Sequence, residues 1–165
     1  MLASGFRKLT VDSGWKTSKG DYMPARSIRV LVVEDFEPFR RVVESILWEQ
    51  PELQIVCEVS DGLEAVQKAE ELRPDLILLD IGLPNLNGIQ AASRIRQVAP
   101  GAAIIFVTQN RDTDLVRDAL GAGAWGYVLK TDAKRELLTA VAGVLGGDDF
   151  VSSGIAGALG ENEVT

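Results

Sequence analysis

Leu76-Ile77-Leu78-Leu79-Asp80-Ile81-Gly82-Leu83-Pro84 is the stretch that decides the fold. Four aliphatic residues in succession show no alternation, the pattern of a strand buried on both faces, as in a parallel sheet covered by helices. The run stops at a carboxylate, with Gly82 and Pro84 behind it. A strand buried on both faces has no packing use for a terminal Asp. In open α/β sheets ligands bind in the crevice outside the carboxyl ends of the strands, so Asp80 is a candidate site residue. Taken alone it reads equally as the Asp that opens a Gly/Pro turn. Its weight comes from what ends the other strands.

The same logic extends outward in both directions. Residues 28–33, IRVLVV, are dominated by β-branched side chains and read as a strand ending in Glu34-Asp35. A helix begins near Pro38, which suits a first turn because it has no N–H to satisfy. Phe39, Val42, Val43, Ile46 and Leu47 form its apolar stripe, Trp48 extends that stripe to the core or its rim, and Pro51 ends the helix. Residues 53–59 form a second strand. Ser60-Asp61-Gly62 caps a helix over 63–72, and Pro74 separates it from the central strand over 76–79. The loop 82–88 leads to a helix over 89–98, a Pro100-Gly101 turn and a strand over 103–107 ending in Thr108. A helix over 112–120 carries Asp in its first turn, favourable to the dipole. A strand over 126–129 ends in Lys130, and a last helix covers 133–145. Five strands alternating with five helices imply right-handed crossovers and a parallel sheet.

The chain has 165 residues, 46% of them hydrophobic, enough for one domain with modest additions. Its formal charge of −7 argues against a nucleic-acid surface, which needs clustered Lys and Arg, and favours cations. Residues 1–26 differ from the rest. They are rich in Ser, Thr, Gly and Lys, and set Arg7, Lys8, Lys16, Lys19 and Arg26 against Asp12 and Asp21, a net charge of +3. They read as a flexible basic arm. A single cysteine, Cys57, excludes an internal disulfide, fits a reducing cytoplasm and is expected in the core. No apolar run approaches the ~18 residues of a membrane span, and the first residues lack a signal-peptide layout. Histidine is absent, which excludes His-ligated metals, Ser-His-Asp triads and phosphohistidine on this chain.

Parallel strands bring Glu34, Asp35, Asp80, Thr108 and Lys130 to one edge of the sheet. Clustered carboxylates repel unless a cation or protons compensate. Mg²⁺ takes oxygen ligands and is held by one or two carboxylates plus phosphate oxygens. Asp35 and Asp80 would be direct ligands, Glu34 direct or through water, and the Gly82 backbone carbonyl a further oxygen. A Lys and a Thr beside such an ion suit phosphoryl chemistry, where positioning and charge neutralisation do most of the catalysis. The nucleophile would be a carboxylate, and Asp80 is the one flanked by the others.

On these residues, Glu34-Asp35, Asp80 in DIGLPNLNG, Thr108 and Lys130, the chain resembles the receiver domain of bacterial two-component response regulators. The likeness runs from Ile28 to about Phe150, and all five positions match in order. It implies a flavodoxin-like fold of strand order 2-1-3-4-5. It also implies Mg²⁺-dependent transfer (Mn²⁺ being the alternative ion) of a phosphoryl group from a histidine kinase or phosphotransfer protein to Asp80. Thr108 then moves inward and Tyr127 exchanges rotamers, a population shift between inactive and active states that signals to a downstream protein. Slow self-catalysed chemistry of this kind makes a switch rather than a turnover enzyme. GAWGYVLK and GDDFVSSGIAGAL are similar to receivers that precede a LuxR-type helix-turn-helix, with homodimerisation implied as in relatives. The expected layout is an arm over 1–26, a receiver over 27–150 and a short tail over 151–165 without a DNA-binding domain, hence no nucleic-acid or membrane partner and a cytoplasmic location. Thr131 stands where the wider family commonly has Pro, which leaves the usual cis peptide open.

Three other readings compete. The chain could be a receiver-like docking domain that takes no phosphate, the receiver part of a truncated DNA-binding regulator, or a Mg²⁺-dependent hydrolase with Asp80 as nucleophile. The hydrolase would need a second acid near the nucleophile and a substrate pocket; Gly82 stands two residues beyond Asp80, and the loops are short. The G-x-G-x-x-G match over residues 121–126 follows a helix and enters a strand, the reverse of a dinucleotide fingerprint, so Gly123 reads as a helix-ending turn residue.

Overall fold

The computed structural model describes residues 27–157; the basic arm and residues 158–165 lie outside the described residues. Strands β1 (Ile28–Val33), β2 (Leu53–Val59), β3 (Leu76–Leu79), β4 (Ala103–Thr108) and β5 (Gly126–Leu129) alternate with helices α1 (Glu37–Trp48), α2 (Gly62–Leu72), α3 (Gly88–Val98), α4 (Thr113–Gly121) and α5 (Ala133–Leu145). All strand pairs are parallel. The order is β2-β1-β3-β4-β5, as the resemblance implies, and a sixth strand, β6 (Phe150–Val151), adds beyond β5.

The four-residue aliphatic run is fully buried because its side chains alternate between two cores. Ile77 and Leu79 join Leu31, Val33, Phe106 and Tyr127 under α2, α3 and α4. Leu76 and Leu78 join Val30, Val32, Ile105 and Val128 under α1 and α5. The sheet is therefore doubly wound. The helices of the first face bury mainly alanines, Ala65, Ala69, Ala91, Ala92 and Ala119, which let them lie close to the strands.

Local chemistry sets the element ends. Asp61, Asn87 and Asp112 cap α2, α3 and α4, each accepting from a backbone N–H of the first turn. Arg73 ends α2 in the left-handed region at φ 49°, just before Pro74. Gly123, at φ 109°, closes the turn between α4 and β5 as expected of it.

Packing runs past Phe150, where the receiver is expected to end: Val151 pairs with Tyr127 in β6 and residues 153–157 form a helical turn that seats Ile155 in the core. Two expectations change. Trp48 is 86% exposed, one position past the inward stripe of Val43, Ile46 and Leu47. Cys57 is only half-buried, because β2 is an edge strand. Trp125 is half-buried against the core formed with α1 and α5. No described helix is long and apolar enough to cross a membrane.

Candidate functional site

The carboxyl ends of β1, β3, β4 and β5 open into one cleft lined by Asp35, Asp80, Gly82, Thr108 and Lys130, with Phe36, Phe39 and Gln109 at its sides. Glu34, Asp35 and Asp80 offer ligand atoms that all lie within 4.8 Å of one another. Glu34 and Asp80 are buried, whereas Asp35 is exposed. All three donors are carboxylate oxygens, a set that fits a hard divalent cation. Gly82 is exposed on the same cleft.

Lys130 Nζ sits 3.0 Å from Asp80 Oδ2 and 3.0 Å from a Glu34 carboxylate oxygen, over the Phe39 ring at 4.8 Å. Burial by itself would lower the Lys130 pKa, but the hydrogen bonds and charges of Glu34 and Asp80 outweigh it and hold the ammonium above its ordinary value. Glu34 moves upward, through burial first and the Asp80 charge second, against the Lys130 and Phe36 hydrogen bonds. Its carboxylate accepts from the Phe36 N–H at 3.0 Å, and its carbonyl accepts from Arg40 Nη1 at 2.8 Å. Asp80 Oδ1 accepts from the Ile81 N–H at 2.7 Å.

Thr108 is buried, and its Oγ1 accepts from the Asn110 N–H at 3.4 Å. Tyr127 is fully buried beside Phe106 and donates its hydroxyl to the Asn110 carbonyl at 2.8 Å. The two residues expected to move together thus meet at one backbone unit. Burial, then the charges of Asp112 and Asp80, push the Tyr127 phenol up to about 12, so it remains a neutral donor. The bond after Lys130 is trans, as are all described peptide bonds.

Sequence reasoning passed over the glycines that hold the Asp80 loop. A Cβ on Gly88 would overlap the Asp80 carbonyl oxygen and meet Ile81 Cα at 2.8 Å, and one on Gly62 would overlap the Leu86 carbonyl. Both contacts are backbone against backbone, so residues 81–87 are clamped between the first turns of α2 and α3. Asn85 Nδ2 donates to the α2 cap Asp61 at 3.1 Å and tightens that clamp. Gly at the first position of a helix just after an Asn cap was the available signal.

Residues 30–142 match the model of the response regulator receiver domain, so the chain belongs to that family. It is similar to the transcriptional regulatory protein LiaR of Bacillus subtilis, 36% identical over 79% of this chain and 62% of the relative. The protein-glutamate methylesterase/protein-glutamine glutaminase of Thermotoga maritima is 42% identical over 66% of this chain and 32% of its own. The chain thus spans less than two thirds of either curated relative. Among solved structures, a LuxR-family two-component response regulator from Aurantimonas superposes with a TM-score of 0.80 at 31% identity, covering 84% of this chain and 99% of that one. The likeness to LuxR-type receivers and the flavodoxin-like fold therefore stand.

Proposed function

We propose that Asp80 is the phosphoacceptor of a signalling switch spanning residues 27–150 together with the docked segment that follows. The observation that carries this reading is the pairing of Asp80, at the end of the central strand, with the Lys130 ammonium at 3.0 Å, in a cleft that also holds Asp35 and Thr108. The donor is a phosphohistidine on a histidine kinase or phosphotransfer protein. An Asp80 carboxylate oxygen attacks phosphorus, a P–O bond forms, and the P–N bond breaks with its electron pair left on the imidazole nitrogen. Lys130 follows the charge from the carboxylate to a phosphoryl oxygen, and Thr108 offers its hydroxyl to another. Glu34, Asp35 and Asp80, with the Gly82 carbonyl, would hold Mg²⁺ or Mn²⁺, which when bound supplies neutralisation of phosphoryl charge.

The output is a conformational change read by a downstream protein or a second copy of the chain. Drawing Thr108 toward the phosphoryl group breaks its bond to the Asn110 N–H and so perturbs the residue whose carbonyl accepts from the Tyr127 hydroxyl. The net charge of −7 gives no support to a nucleic-acid surface. Intact-mass spectrometry after incubation with acetyl phosphate and Mg²⁺ tests the reading. One phosphoryl group is expected on the wild type and none on Asp80→Asn. No adduct on the wild type, with acetyl phosphate or with candidate kinases, would leave a phosphate-independent docking domain.

A further inference from the structure

Just past the sixth strand stands Ser152, a residue whose bonding points back at the site. In a parallel ladder the Ser152 carbonyl would be the natural acceptor for the Leu129 N–H. That carbonyl is already taken: the chain turns into the helical turn over 153–157, and the N–H groups of Ile155 and Ala156 both donate to it at 3.0 Å. The Ser152 hydroxyl replaces it, Oγ accepting from the Leu129 N–H at 2.9 Å. The Ser152 N–H donates to the Tyr127 carbonyl at 2.9 Å, so one fully buried serine holds the outer edge of β5 at two points. Leu129 is the last strand residue, and a tight turn starts at Lys130.

Resting on the reading of Asp80 as phosphoacceptor, we infer that Ser152 is a positioning residue for Lys130. The inner edge of β5 is fixed by β4, where Thr108 pairs with Leu129. Its outer edge at this level is fixed by Ser152. Without the hydroxyl, the Leu129 amide is a buried donor with no acceptor, and the peptide must shift or take water. Lys130 departs from that peptide, and its Nζ must meet two carboxylates at 3.0 Å at once. Ile155, buried in the core, anchors the turn that keeps Ser152 in place.

The test uses the full chain with Ser152→Ala, Ser152→Thr and Ser153→Ala. Ser153 donates to Glu136 at 2.6 Å, a carboxylate that the Ser152 hydroxyl also faces, and its hydroxyl bond runs to α5 rather than β5, so its variant is the control for that shared carboxylate. The first readout is the NMR signal of the Lys130 ε-methylene in phosphate-free, metal-free protein. The second is the rate of adduct formation with acetyl phosphate. Ser152→Ala is expected to move the Lys130 signal toward that of a free lysine and slow the adduct by about tenfold, below the roughly hundredfold that a 1 Å misplacement costs at its worst. Ser152→Thr, which keeps the hydroxyl, restores both, and Ser153→Ala changes neither. If Ser152→Ala does not fold, Ser152→Cys, close in size with a poor acceptor, is read in its place. An unmoved Lys130 signal or an unchanged adduct rate overturns the inference. A wild type that takes no phosphoryl group overturns the phosphoacceptor reading instead, and the Lys130 signal alone then decides the role of Ser152.

Discussion

Lys130 Nζ bridges Asp80 and Glu34 at 3.0 Å to each, although the three residues come from three different strand ends. Removing the cation leaves two buried carboxylates facing each other. Lys130→Ala is therefore expected to lose about 2 kcal/mol of stability at neutral pH, below the roughly 3–5 kcal/mol of a fully buried pair because the lysine is partly exposed. Urea unfolding measures it. The same variant should bind Mn²⁺ more tightly in a titration, since the ammonium no longer competes for the carboxylates, while phosphoryl transfer slows.

The Asp80 loop depends on Gly88 more than its position outside the cleft suggests. A methyl group there meets the Asp80 carbonyl, and backbone cannot yield as the end of a flexible side chain can. Gly88→Ala is expected to cost about 1–3 kcal/mol, the range for overpacking. It should also lower adduct formation, because the displaced atom belongs to Asp80, the proposed phosphoacceptor. Normal stability with a normal adduct rate would show that the loop re-forms around the methyl group.

Strand and helix alternation, both apolar faces and the meeting of five strand-end residues at one edge were legible because each depends on local pattern. Buried strands have their own composition, and parallel order fixes which ends share an edge. What escaped was set by partners distant in sequence. Ser152 matters through the amide of Leu129, and Gly88 through the carbonyl of Asp80. The strand at Phe150–Val151 is too short to show alternation and forms only because β5 offers an edge. Trp48 was misplaced because hydrophobicity was read as burial, when the helical angle at that position turns outward.

Trp48 and its neighbour Leu47 separate these two properties. Leu47 is 1% exposed and packed under the sheet, whereas Trp48 is 86% exposed. Leu47→Ala should cost about 2–5 kcal/mol, the cavity range for a buried leucine. Trp48→Ala should stay within roughly 0.5 kcal/mol, as for other surface substitutions. Paired urea titrations decide it. A large loss for Trp48 would mean that the ring is covered in solution.

Glu58 gives the fold a pH dependence of its own, away from the cleft. Burial first, then a hydrogen bond and charge repulsion from Glu44, push its pKa from 4.5 up to about 7, against the pull of Arg40. Arg40 Nε lies 3.9 Å from the Glu58 carboxylate and cannot cancel the repulsion. The folded state therefore keeps a proton that the unfolded chain has already released. This contribution to stability is fully present below about pH 4.5 and is lost as pH rises through about 7. The thermal midpoint is expected to fall from pH 5 to pH 8, and Glu58→Gln, neutral throughout, should flatten most of that slope. Glu44→Gln should flatten it as well, since it removes the neighbouring charge that holds the proton on Glu58. A slope unchanged in both variants would assign the pH dependence to groups other than this pair.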